Sequence, residues 1–272
     1  MSLGSAYQNE GPVDDPGAPG TTVDQLLGGL IEIEQPKRGW HRAGLDALFL
    51  AASVPEHAGG LVVDLGAGVG TAGMAAAARV PGIEVMLVER EPVALDLARA
   101  NLVRPANAAF AGRCRVVAAD ISQSMSAREA AGLSREIAAH VLINPPFWPP
   151  KSVRRSPSES RAGAHVLGPG GLEDWARAAV SLLEPRGRLS IIYKGDGLGE
   201  LLPVLADRVG EISIFPLFPR AGVAAHRLIV SGVKGSRAAP RLLPGMVLHP
   251  GGTGRYLPEP DAILKGERGL VV

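Results

Sequence analysis

From residue 60 onward, short β-branched or leucine-rich runs alternate with longer alanine- and leucine-rich stretches of helical period. The strand-like runs are 61–66 (LVVDLG), 84–89 (EVMLVE), 113–120 (RCRVVAAD), 140–144 (HVLIN), 187–194 (GRLSIIYK), 210–217 (GEISIFPL) and 225–234 (AHRLIVSGVK). Helical stretches cover about 70–80, 91–103, 171–184 and 197–208. Strands that are apolar almost throughout, and separated by helices, predict a parallel sheet covered on both faces. The connection between the last two runs is too short for a crossover helix, so those strands are expected to pair antiparallel. The fold class that follows is α/β: a Rossmann-like, seven-stranded, mostly parallel sheet with an antiparallel last strand.

Two boundaries sharpen the pattern. Pro92 falls in the first turn of EPVALDLARANL, where its missing N–H costs nothing, and Leu95, Ala98 and Leu102 share a face. GGLEDWARAAVSLLEPRG runs into Pro185 and Gly187, a helix-stop pair. A further helix, GLDALFLAASV (44–54), precedes the first strand of this series. Residues 1–22 are rich in Gly, Pro and Asp and are expected to be disordered. Residues 23–272 are expected to form a single domain, with its core at about 60–233 and a Pro/Gly-rich extension of little regular structure over 235–272. The polar segment 150–170 reads as an ordered functional loop or a mobile lid.

Composition removes several alternatives. A chain of 272 residues, 46% hydrophobic, can bury one good-sized core. The net charge of +1 marks neither a nucleic-acid nor a membrane binder globally, so any such partner must meet a local patch. The lone cysteine, Cys114, permits no internal disulfide and favours a reducing compartment. No apolar run reaches the ~18 residues of a membrane span. The first residues lack a basic and then apolar leader pattern. A soluble, cytoplasmic protein is the expectation; the oligomeric state is left open.

The candidate chemistry sits at strand ends. VVDLGAGVG (62–70) carries Asp64 and then Gly66, Ala67, Gly68 and Gly70 at a strand-to-helix turn, where glycines permit a tight bend and close approach of a ligand. Counted from Gly66, the dinucleotide fingerprint G-x-G-x-x-G would need glycine at position 71, which is Thr71. Glu89 closes the second run of the series and can accept hydrogen bonds from ribose hydroxyls. Asp120 and Ile121 close the third, a carboxylate and an apolar cover suited to an adenine ring. In an open parallel sheet, ligands bind beyond the carboxyl ends of the strands, so these groups converge.

The fourth run ends in INPPFWPP (143–150). A conjugated amino group is a poor nucleophile because its lone pair is delocalised. Two fixed acceptors, the Asn144 side chain and the Pro145 carbonyl, can hold its N–H groups and aim the lone pair. Prolines 145 and 146 stiffen the corner, and Phe147 offers a flat stacking face. Such a corner has no use in a nicotinamide dehydrogenase, the rival reading of the glycine turn.

Together these features resemble the class I S-adenosylmethionine-dependent methyltransferases, and the corner matches the [N/D]-P-P-[Y/F/W] signature of those that act on amino nitrogens. The resemblance implies S-adenosylmethionine as cofactor and no metal. It places Asp64 near the cofactor's amino-acid end. QPKRGWHRAGLDALFLAA (35–52), with Gln35, Pro36, Gly39, Arg42, Gly44, Asp46, Ala47 and Leu50 in order, is similar to bacterial tRNA adenine-N6 methyltransferases. So are the stretch from Arg161 to Ile192 and the tail LHPGGTGRY. Phe147 departs from the more usual Tyr of that group. Arg42 is expected to pair with the cofactor carboxylate or with Asp46. Trp148 and the loop cations Lys151, Arg154, Arg155 and Arg161 are candidates for RNA contact, with Arg220, Lys234, Arg237 and Arg241 as possible additions. The expected partner is tRNA. A methyltransferase of protein glutamine amides or of another small substrate, and a non-catalytic RNA-binding protein on the same fold, stand as alternatives.

Overall fold

The structure, a computed structural model, describes residues 20–37, 44–145, 171–251 and 255–272. Its strands are β1 (Thr21–Leu26), β2 (Ile31–Pro36), β3 (Gly60–Leu65), β4 (Ile83–Glu89), β5 (Cys114–Ala118), β6 (Ala138–Ile143), β7 (Leu183–Lys194), β8 (Val209–Phe218), β9 (Arg227–Lys234), β10 (Arg241–Leu242) and β11 (Met246–Val247). The α-helices are α1 (Leu45–Ala52), α2 (Thr71–Arg79), α3 (Pro92–Leu102), α4 (Ala108–Ala111), α5 (Met125–Ala130), α6 (Gly171–Leu182), α7 (Leu198–Ala206) and α8 (Pro258–Leu264).

The central sheet runs β10-β8-β9-β7-β6-β3-β4-β5, with β11 also on the outer edge of β8. Its seven long strands are those the apolar runs mark. β9 lies antiparallel to both β7 and β8, while the other pairings are parallel. The order jumps from β3 outward in both directions, which makes the β3–β6 junction the crevice where such sheets bind ligands.

Both faces of the sheet are buried. Val62, Leu142, Ile192 and Ile229 point to the face covered by α1 and α2. Val63, Val141, Ile191 and Val230 point to the face covered by α6 and α7. This alternation along each strand is the two-residue period of β structure, with both sets apolar because both sides are covered.

Three regions differ from the sequence expectation. Strand β1 begins at Thr21, inside the segment expected to be disordered, and pairs with β2 as an antiparallel hairpin. The hairpin orders because Ile31 and Ile33 are fully buried in the α1–α2 core, a contact that composition cannot reveal. In the tail, β10 and β11 extend the edge of β8, and α8 packs Ile263 into the same core. Strand β5 ends at Ala118, so Asp120 lies two residues beyond it rather than on it.

A polar column crosses the α1–α2 face. His140 bonds Ser190 (2.9 Å), and Ser190 lies 3.5 Å from Ser231. All three are buried. Cys114 is half-buried, and burial pushes its thiol up to about 11, so it stays an unreactive thiol. Among the described residues, no helix is long and apolar enough to cross a membrane.

Candidate active site

The turn between β3 and α2 is held by a set of backbone hydrogen bonds. The N–H groups of Gly66 and Ala67 donate to the Val88 carbonyl (2.8 and 2.9 Å), and the Gly70 N–H closes the bend on Ala67 O (2.8 Å). Gly66, Gly68 and Gly70 all have positive φ (75°, 56° and 93°), a region that L side chains rarely adopt. Their surroundings differ. A Cβ on Gly66 would lie 2.3 Å from the Trp175 ring, whereas one on Gly68 would meet nothing within 4 Å among the described residues. The indole of α6 closes the turn from beneath; the open side is at Gly68, where a ligand can lie against bare backbone.

Asp64 is 2% exposed, and its carboxylate accepts the Gly73 N–H in the first turn of α2 (2.7 Å). Burial pushes its pKa up to about 7; the Gly73 bond opposes this and the nearby Glu89 charge adds to it. It ties strand to helix at the rear of the turn. Glu89 accepts from Gly68 N (2.8 Å), from its successor Arg90 N (2.8 Å) and from Glu91 N (3.0 Å). A carboxylate has about four lone-pair sites, so capacity for a ribose hydroxyl persists while Glu89 fixes the Gly68 amide. Asp120 accepts the Ser122 N–H (2.8 Å) and pairs with Arg90 (3.5 Å). Burial pushes that carboxyl up, but the Ser122 and Arg90 contacts outweigh it and hold the group below the ordinary range. Ile121 packs half-buried on the α6–α7 core.

Register brings these groups together with Asn144. The last paired row of β3 and β6 is Leu65 with Ile143, and the last row of β3 and β4 is Leu65 with Val88. Gly66, Asn144 and Glu89 are each the next residue. Asn144 is partly exposed and Pro145 buried. Arg42, Pro146, Phe147, Trp148, Lys151, Arg154, Arg155 and Arg161 lie outside the described residues.

Two supplementary readings change. Asp46, the alternative partner for Arg42, forms an ion pair with Arg227 (2.8 Å). Lys234, Arg237 and Arg241 cannot join a basic patch beside Asn144. β9 is antiparallel to β7, so Lys234 reaches the amino ends of the strands and bonds Leu183 O and Glu136 there. Arg241 lies on the same half of the sheet, bonded to Ser213. Of the added cations, Arg220 follows the carboxyl end of β8.

Sequence reading missed three supports. Gly73 is the third glycine of a G-x-G-x-x-G counted from Gly68; a Cβ there would lie 2.3 Å from Leu87 Cδ2, the helix–strand approach that this glycine serves. Shifting the count by two residues would have found it. Trp175 beneath Gly66 and Arg90 on Asp120 had no local signal, since each contact joins separate elements.

The sheet order, the glycine turn sealed by α6, and the acids at successive strand ends define a class I methyltransferase. The open backbone at Gly68 fits the cofactor of that class, S-adenosylmethionine. The methyltransferase small domain model matches residues 40–171. A tRNA1(Val) (adenine(37)-N6)-methyltransferase of Porphyromonas gingivalis is 30% identical over 229 residues, 80% of this chain and 85% of that protein. One of Shewanella loihica is 26% identical over 162 residues, 60% of this chain and 63% of that protein. A solved Agrobacterium tumefaciens protein, described as a predicted O-methyltransferase, is 34% identical with TM-score 0.72, covering 83% of this chain and 98% of that one. The chain belongs to the methyltransferase small domain family.

Proposed function

We propose that the protein methylates an exocyclic amino nitrogen, and specifically N6 of an adenine in tRNA. The observation that carries this reading is the position of Asn144, one residue past the last paired row of β6 and adjacent in register to the glycine turn. S-adenosylmethionine, when bound, supplies an electrophilic methyl group on a sulfonium. Gly68 and its neighbours, Glu89, and Asp120 with Ile121 would hold it. Asn144 and the Pro145 carbonyl accept from the two N–H groups of the substrate amine and orient its lone pair. The proton acidified on alkylation leaves to solvent, so the corner needs no strong base.

The A. tumefaciens likeness raises a hydroxyl acceptor as a second reading. A hydroxyl must surrender its proton as it attacks, and that calls for a base. Among the described residues, Asp64 is buried against the Gly73 N–H, Glu89 is placed for the cofactor's ribose, and Asn144 cannot take a proton. The amine reading is therefore favoured, and the likeness to the P. gingivalis tRNA methyltransferase supports tRNA as its target.

The test is labelled-methyl transfer from S-adenosylmethionine into total tRNA, total rRNA and a protein lysate, followed by mass spectrometry of nucleosides. Label recovered as N6-methyladenosine from tRNA is the expected outcome. Label in glutamine side chains would replace the RNA reading by the protein one. No transfer into any pool, with no binding of S-adenosylhomocysteine in calorimetry, would make the chain a non-catalytic member of the fold.

A further inference from the structure

The β1–β2 hairpin is joined to the glycine turn through one buried side chain. Asn101, in the last turn of α3, is fully buried. Its Oδ1 accepts the Glu34 N–H (2.7 Å), and its Nδ2 donates both to Glu34 O (3.1 Å) and to Val69 O (3.1 Å). Val69 stands between Gly68 and Gly70. The amide thus pairs with the edge of β2 as a neighbouring strand would, while its second N–H holds a carbonyl of the turn. Asn107 repeats the first half alone: it accepts from Glu32 N (3.0 Å) and donates to Glu32 O (2.8 Å) and Asn101 O (2.7 Å), and these hydrogen bonds do not reach the turn.

The geometry points to Asn101 as a positioning residue for the cofactor: it fixes the Val69 peptide, and so the open backbone at Gly68, according to whether the hairpin is docked. A trans peptide is planar, so holding Val69 O also sets the plane of the Gly70 N–H that closes the bend on Ala67. Gly66, Gly68 and Gly70 of this turn hold positive φ, and because glycine populates either sign of φ about equally, the bare backbone does not fix its own conformation. Without the Asn101 bond, Val69 O is a buried acceptor lacking this donor, and the turn gains alternative peptide orientations. Cofactor binding must then select the competent one, which lowers apparent affinity. Docking of the hairpin and binding of the cofactor are coupled, and the coupling is reciprocal.

This inference rests on the methyltransferase reading of the turn, and on nothing about the substrate. Calorimetry with S-adenosylhomocysteine on the full chain tests it. Asn101→Ala should raise Kd about tenfold, as expected for one lost net hydrogen bond. Asn107→Ala, which weakens the same hairpin clamp but keeps the Asn101–Val69 bond, should lower Tm comparably and raise Kd clearly less than Asn101→Ala does. Equal Kd shifts in the two variants, or none in Asn101→Ala, would overturn the proposal. Should Asn101→Ala not fold, Asn101→Asp keeps the acceptor for Glu34 N–H and loses the amide donor to Val69 O and Glu34 O. Hydrogen exchange on the wild-type protein gives a measurement free of any variant: S-adenosylhomocysteine should increase protection in residues 31–36 as well as in the turn. Protection confined to the turn would equally overturn it. A failed N6-methyladenosine assay leaves all these readouts intact, so the two claims fail separately.

Discussion

Asn144 is the residue on which the reaction and the fold are most easily separated. It follows β6 and is partly exposed, so truncating it removes few packing contacts. Asn144→Ala is expected to lower methyl transfer at least about a hundredfold, the scale found when a preorganised hydrogen-bonding group at a reacting centre is removed. S-adenosylhomocysteine affinity should stay within about threefold of wild type, because the lost oxygen acts on the acceptor amine. Near-wild-type turnover in this variant would reduce the corner to a rigid strand end. Asp64 is the opposite case: a carboxylate 2% exposed, spent on the Gly73 amide, whose charge is a burden to the fold. The family resemblance places it near the cofactor's amino-acid end, and its hydrogen bond also attaches β3 to α2.

At the level of elements, the joint between α2 and the sheet depends on Gly73. Alanine has the better intrinsic helix propensity, by about 1 kcal/mol. Against that, the new Cβ would meet Leu87 Cδ2 at 2.3 Å and Val85 Cγ1 at 3.0 Å. Overpacking of this kind costs about 1–3 kcal/mol, so packing should win and Gly73→Ala should lower stability in urea unfolding. Leu87→Val in the Gly73→Ala background should recover part of the loss, a negative coupling that a thermodynamic cycle would show. Additive effects would mean that the helix moves freely off the sheet. The hairpin β1–β2 illustrates the same dependence on distant partners. Its strands alternate in burial, yet its edge is completed by Asn101 and Asn107, about 70 residues away in the chain.

Across the whole molecule, two buried groups pull stability in opposite directions with pH. His140 has its pKa lowered to about 3 by burial, with Arg188 adding, so folding favours the neutral ring. Its contribution is present above about pH 6.5 and is lost as pH falls toward 3, where only the unfolded chain takes the proton. Asp64, raised to about 7 and protonated more readily when folded, does the reverse: stability falls as pH rises from about 4 to 7. Between pH 4 and 6.5 the two slopes oppose each other. Asp64→Asn should therefore gain stability relative to wild type more at pH 8 than at pH 5, and His140→Gln more at pH 4.5 than at pH 7.5. Melting temperatures across that range check both; parallel curves would show that neither group titrates on unfolding.

The chain's hydrophobic pattern by itself determined the seven long strands, the main helices and the antiparallel last strand, because burial on both faces writes each strand as a continuous apolar run. Residues at or just past the strand ends likewise offered Glu89, Asp120 and Asn144 as candidates, since in a parallel sheet those ends converge whatever the details of packing. What tertiary structure alone decided is which groups are spent on the protein. The amino acid letters cannot say that Asp64 faces Gly73, that Trp175 seals Gly66, that Asp46 belongs to Arg227, or that Asn101 reaches Val69. Each of these is a contact between elements far apart in sequence, fixed by sheet order, register and the angle at which a helix crosses a strand.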